Sequence, residues 1–185
     1  MASYRGFGRA GILVSVGAVV LTCGCRQARE QPEAGSQAIE AAPQIGAVSP
    51  MSGAGRSQAF RVVVSHPAGA TAVGDVQVLI AEEMTPTGSG ACWIDVNSLK
   101  SVAVRKEDGS DWLPSVRIGS ADTAVNSQCS LDAGGVKVET KGTELAVTLP
   151  VTFAAAFTGA KKVWVVASGP RKHSGWQERG TWTVN

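Results

Sequence analysis

The 185-residue chain is poor in charge and in aromatics, with 17% Asp, Glu, Lys and Arg and 5% Phe, Trp and Tyr. Its 17 basic residues stand against 15 acidic ones, and two of the basic residues, Arg5 and Arg9, lie near the amino terminus. The remainder is close to neutral, which argues against a nucleic-acid binder, since that needs a basic face or stripe. The pairs Lys161-Lys162 and Arg171-Lys172 read as solvated charges at strand ends or in loops. The longest apolar run, residues 10–21, is broken only by Ser15 and spans about a dozen residues, short of the roughly 20 that cross a bilayer as a helix.

Catalytic signatures are missing too. There is no Gly-x-Ser-x-Gly and no phosphate loop, and the stretch TGSGACW at 87–93 lacks the glycine spacing of a dinucleotide site. The two histidines, His66 and His173, sit far apart beside the turn residues Pro67 and Ser174, a weak basis for a metal site. Glu107, Asp108 and Asp111 surround Gly109 without the alternating ligand spacing of a calcium loop, and read as solvated acids of a hairpin turn. Glu82-Glu83 reads as the polar end of a strand. The expectation is a non-catalytic chain with no metal and no cofactor.

What is present begins with a leader of basic, then apolar, then small residues, the order of a secretory signal over residues 1–24. It ends in Thr22-Cys23-Gly24-Cys25. A Cys-x-Cys pair could ligate zinc or exchange disulfides, but a metal site needs further ligands and a redox motif sits in a folded domain. The arrangement resembles a bacterial lipobox, which implies cleavage before a cysteine whose thiol receives diacylglycerol. Gly24 before Cys25 fits that cut best. Cys23 is the alternative acceptor, with Val20 at the preferred aliphatic position, and cleavage by an ordinary signal peptidase with both thiols incidental remains a third reading. Two or more acyl chains would hold the protein at a membrane, because one binds only marginally. Arg26 stands where an Asp would favour inner-membrane retention, so the cell membrane or outer membrane, facing periplasm or cell surface, is the expected location.

Residues 25–45 are rich in Ala, Gln, Glu and Pro without an apolar face, and read as a flexible tether. Beyond them the pattern changes to period two. Phe60, Val62 and Val64 alternate with Ala59, Arg61 and Val63; Val76, Val78 and Ile80 follow, then Cys92, Ile94 and Val96, and later Leu145, Val147, Leu149, Val151 and Phe153. Turn residues punctuate the runs. This predicts eight to ten short strands in an antiparallel sandwich over residues 46–185, with no helix beyond one possible turn at 154–157. Cys92 and Cys129 are expected to pair, since an exported domain meets an oxidising compartment.

Residues 49–53 (SPMSG), Ala91-Cys92, 126–129 (NSQC) and above all 174–184 (SGWQERGTWTV) resemble an immunoglobulin-like repeat domain of large secreted bacterial proteins. The resemblance covers residues 46–185 and implies an immunoglobulin/fibronectin-III-like sandwich with Cys92 joined to Cys129. It carries over no catalytic residue. An antibody-type domain is not implied, because the cysteine spacing is short and Tyr4 leaves no tyrosine corner.

The functional expectation is a binding, adhesion or scaffolding module at the bacterial envelope, attached to the membrane by its lipid and meeting an envelope protein or a glycan. The alternative is a carbohydrate-binding module. By parity Trp93 faces away from Cys92 and Ile94, on the side of Asp95, so Trp93, Asp95 and Trp112 are the candidate ligand-binding residues.

Overall fold

The computed structural model of the chain describes residues 34–185; the leader, Cys23 and Cys25 lie outside the described residues. A short helix α1 (Ala34–Ile39) is followed by thirteen strands: β1 (Gln44–Ser49), β2 (Ser52–Ala54), β3 (Ser57–Ser65), β4 (Asp75–Ala81), β5 (Cys92–Asn97), β6 (Ser101–Val104), β7 (Val116–Arg117), β8 (Thr123–Val125), β9 (Cys129–Asp132), β10 (Lys137–Lys141), β11 (Glu144–Phe153), β12 (Gly159–Ser168) and β13 (Gln177–Val184). The protein is an all-β sandwich. One sheet runs β1-β3-β11-β9-β8 with β10 also on β11; the other runs β2-β13-β12-β4-β5-β6-β7. In the first sheet β11 lies between β3 and β9, and in the second β12 lies between β13 and β4. Every pairing is antiparallel except β2 on β13, which is parallel.

Period two places the core. Phe60, Val62 and Val64 of β3 and the alternate residues of β11 from Leu145 to Phe153 face Val76, Val78 and Ile80 of β4, Ile94 and Val96 of β5, and Val163, Val165 and Ala167 of β12 in one buried cluster. Dry, interdigitated side chains of this kind are the main stabilising contribution of a sandwich. The Cys92–Cys129 disulfide crosses this core from β5 to β9, with the Cα atoms 5.5 Å apart, and so joins the two sheets.

Three expectations are corrected. The strand count exceeds eight to ten, because β2, β7 and β8 have only two or three residues, too few for a period to register. Residues 154–157 make a reverse turn closed by the Phe157 N–H on the Ala154 carbonyl, and Gly159 opens β12. The described end of the tether is ordered. It holds α1, Glu40 lies 3.6 Å from Arg171, and Gln44 starts β1. The sequence hides β1 because its register shifts between Ile45 and Val48, so both residues are buried at a spacing of three.

The closing stretch 174–184 earns its residues by packing. Trp182 lies under β2, where a Cβ on Gly53 would overlap its ring, and its indole N–H donates to the Gly55 carbonyl at 2.8 Å. A Cβ on Gly180 would collide with the Met51 carbonyl oxygen. The two glycines therefore allow β2, with Met51 before it, to meet the last strand, β13. Arg179, between them in sequence, donates to the Ile45 carbonyl at 2.8 Å and ties β13 to β1.

Candidate functional site

The outer face of the seven-stranded sheet carries the residues singled out by parity. The register sets Leu79 beside Trp93 and Gln77 beside Asp95 across β4 and β5. Trp93 and Asp95 share this face, while Cys92, Ile94 and Val96 point into the core, as expected. The face has a small core of its own, formed by Leu79, Ala81, Ala91 and Trp164 with Trp93 and Trp176 packed against it.

Trp93 is the hub. Trp112 and Trp176 meet it edge-on, with ring centroids at 5.6 and 5.5 Å. The Arg105 guanidinium lies 4.5 Å from the Trp93 centroid and 5.2 Å from that of Trp112, a cation–π contact made within the protein. Gly88 presses on the six-membered ring of Trp93, and the indole N–H donates to Gln77 at 3.1 Å. The ring is thus enclosed by its own chain. A cleft of about 260 Å³ remains beside it, lined by Leu79, Met84, Thr85, Pro86, Trp93 and Trp176.

Asp95 is 7% exposed despite lying on an outer face, and its Oδ1 has no hydrogen-bond partner. Burial, and then the negative charge of Asp75, push its carboxyl up to about 6, partly offset by the side chains of Gln77 and Asn97. The structure therefore brings Trp93 and Trp112 together but gives Asp95 a different setting, buried and electrostatically unpaired.

A second concavity opens at one end of the sandwich. Lys161 shares the inward parity of Val163 and Val165, which explains why it is buried; the expectation of a solvated Lys161 is corrected here. Its ammonium donates to Glu82 Oε1 at 2.9 Å and to the Thr158 carbonyl at 2.6 Å, and stands 4.6 Å over the Phe157 ring. The hydrogen bond from Lys161, and its charge, hold the Glu82 carboxyl below the usual range. Around the pair lies a cavity of about 530 Å³, lined also by Glu83, Thr85, Ser89 and Gln128. Counting strand parity from Val163 back to Lys161 would have found it; its neighbour Lys162, on the other parity, is the exposed one.

The other candidates serve structure. His66 is fully buried, its Nδ1 accepts from the Ala68 N–H at 3.1 Å, and Nε2 lies 3.2 Å from the Ala41 carbonyl, which fixes the proton on Nε2. His173 Nδ1 accepts from the Gly175 N–H. The expected turn around Gly109 spans residues 106–109, closed by the Gly109 N–H on the Lys106 carbonyl. Glu107 Oε1 accepts from the Ser127 N–H, and Asp108 Oδ1 from the Ser110 N–H. Backbone N–H donors, its own and that of Ser127 for Glu107 and that of Ser110 for Asp108, keep both carboxyls below their ordinary values.

The task of Asn126 is not visible in the sequence. Its Nδ2 donates to the carbonyls of Ala91 and Arg105, and its Oδ1 accepts from the N–H groups of Gln128 and Cys129. One buried amide thus fixes both segments that carry the disulfide cysteines. Among the described residues no group of three or more His, Cys, Asp or Glu is placed to hold a metal, and no helix is long and apolar enough to cross a membrane. No protein-family model matches the chain, and no curated protein matches it.

Proposed function

We propose that this chain is an exported, lipid-anchored member of the immunoglobulin-like sandwich modules of bacteria, non-catalytic, which binds or scaffolds at the cell envelope. The observation that carries this reading is the buried Cys92–Cys129 bond, because a structural disulfide belongs to an oxidising compartment outside the cytoplasm. It agrees with the leader and with Cys25, the preferred lipid acceptor. The module would meet its partner through the sandwich surface, with residues 26–33 as spacer. A sugar platform at Trp93 has less support than parity alone gave it, since Arg105, Gly88, Trp112 and Trp176 crowd the ring.

The test is metabolic labelling with a fatty-acid analogue in a bacterial host that processes lipoproteins. The full chain should be labelled and recovered with membranes, and Cys25→Ala should abolish the label. Full labelling of Cys25→Ala with loss in Cys23→Ala would move the anchor to Cys23. An unlabelled wild-type chain in the cytosolic fraction would refute the reading.

A further inference from the structure

We propose that the cavity around Lys161, at the end of the sandwich opposite the point where the chain enters β1, is a binding site for a neutral saccharide, with the Lys161–Glu82 pair as its recognition element. The chain enters at Gln44, opposite Ser65, at the end where Asp75 pairs Ser168. The cavity lies at the other end, where β4 finishes at Ala81 beside Lys162. A domain tethered through residue 44 therefore carries this mouth away from its own point of attachment.

The chemistry of the walls selects the ligand. Lys161 has a side chain 3% exposed, yet its counter-ion Glu82 is 76% exposed and approaches from the solvent side. An ammonium has three N–H donors; two go to the Glu82 carboxylate and the Thr158 carbonyl, and the ammonium also lies 4.6 Å over the Phe157 ring. The pair thus presents an exposed carboxylate with spare lone pairs, held in place by a buried ammonium 2.9 Å away. A sugar hydroxyl donates to such a carboxylate in a charge-assisted bond, and two vicinal hydroxyls match its two oxygens. Thr85, Ser89 and Gln128 add groups that can both donate and accept, and about 530 Å³ is an ordinary volume for a small-ligand site. An anionic ligand is disfavoured, because Glu82 and Glu83 leave the rim with one surplus negative charge. A cationic ligand would find only one carboxylate not already paired, that of Glu83, because Glu82 is engaged by Lys161. A neutral polyhydroxylated ligand meets neither obstacle.

This inference rests on the chain being a binding module, and the experiment separates the two. The full chain, purified in detergent micelles, is titrated calorimetrically with cellotriose, maltotriose and chitotriose, with trigalacturonate and trilysine as charged controls. At least one neutral trisaccharide should bind saturably. Glu82→Gln, which keeps an acceptor oxygen for the buried Lys161 ammonium and is checked for folding by its tryptophan fluorescence and urea midpoint, should weaken that binding about tenfold, the scale of one charge-assisted hydrogen bond. Lys161→Met should weaken it at least as much, and Trp112→Ala should leave it unchanged. No saturable binding of any neutral probe at about 10 mM, well above a millimolar Kd, would overturn the inference. So would preferential binding of a charged control, or an unchanged affinity in Glu82→Gln. If fatty-acid labelling of the same chain is intact while no sugar binds, the saccharide site falls and the envelope-module reading stands.

Discussion

Asp95→Asn should make the protein more stable at neutral pH, although it removes a buried polar charge from the middle of a sheet. The carboxyl moves from 3.8 to about 6 in the folded state because it is buried and feels the charge of Asp75. At about 1.4 kcal/mol per pH unit, that difference corresponds to a burden of roughly 3 kcal/mol on the ionised form. A raised carboxyl pKa means that the folded state binds more protons than the unfolded chain between those two values. Stability associated with Asp95 is therefore full below about pH 4 and lost as pH rises through about 6. Asn keeps the shape and an acceptor oxygen while removing the charge. Urea unfolding followed by tryptophan fluorescence, at pH 4, 6 and 7.5, gives the comparison. The variant should exceed the wild type by roughly 1–3 kcal/mol at pH 7.5 and approach it at pH 4. Glu82, Glu107 and Asp108, all shifted down, give stability that is lost on acidification in both proteins and cancels in the difference. A variant that is no more stable at pH 7.5, or a gap that does not narrow towards pH 4, would refute the reasoning.

Other perturbations follow from the same geometry. Cys92→Ser with Cys129→Ser should destabilise the domain by roughly 4 kcal/mol, since the bond closes a loop with a sequence separation of 37, read as a lower urea midpoint than the oxidised wild type. Asn126→Ala should cost about 2–4 kcal/mol by thermal unfolding, because it strips one buried and one part-buried carbonyl and two N–H groups of their partners; a loss within 0.5 kcal/mol, roughly the surface-substitution range, would contradict that role. Gly180→Val should separate the closing strand from residue 51, and native-state hydrogen exchange should show faster exchange of the Thr181 amide, which donates to the Met51 carbonyl, than of Val147 in β11.

The fold was legible wherever one buried face met one solvated face over five or more residues. β3, β4, β5 and β11 announce themselves by alternation, and parity alone set Trp93 opposite Cys92. The same rule failed where backbone geometry breaks the count. The register shift in β1 puts Ile45 and Val48 inside at odd spacing, and β2 consists of Ser, Gly and Ala, which carry no pattern at all. The site was legible in part. Trp93 and Trp112 meet, and Asp95 shares the outer face of Trp93, but a one-dimensional pattern cannot show that Arg105 from β6's end fills the space over Trp93, nor that Asp95 ends up buried. Lys161 was hidden by its company: beside Lys162 it looks like a charge pair, while its parity belongs to the core.

Intact mass spectrometry of the protein recovered from the envelope of an expressing bacterium tests the central claim most directly. The predicted mass is that of residues 25–185 carrying a diacylglyceryl group, two hydrogens lighter for the Cys92–Cys129 bond. A species that retains residues 1–24 with all four thiols reduced would contradict the account.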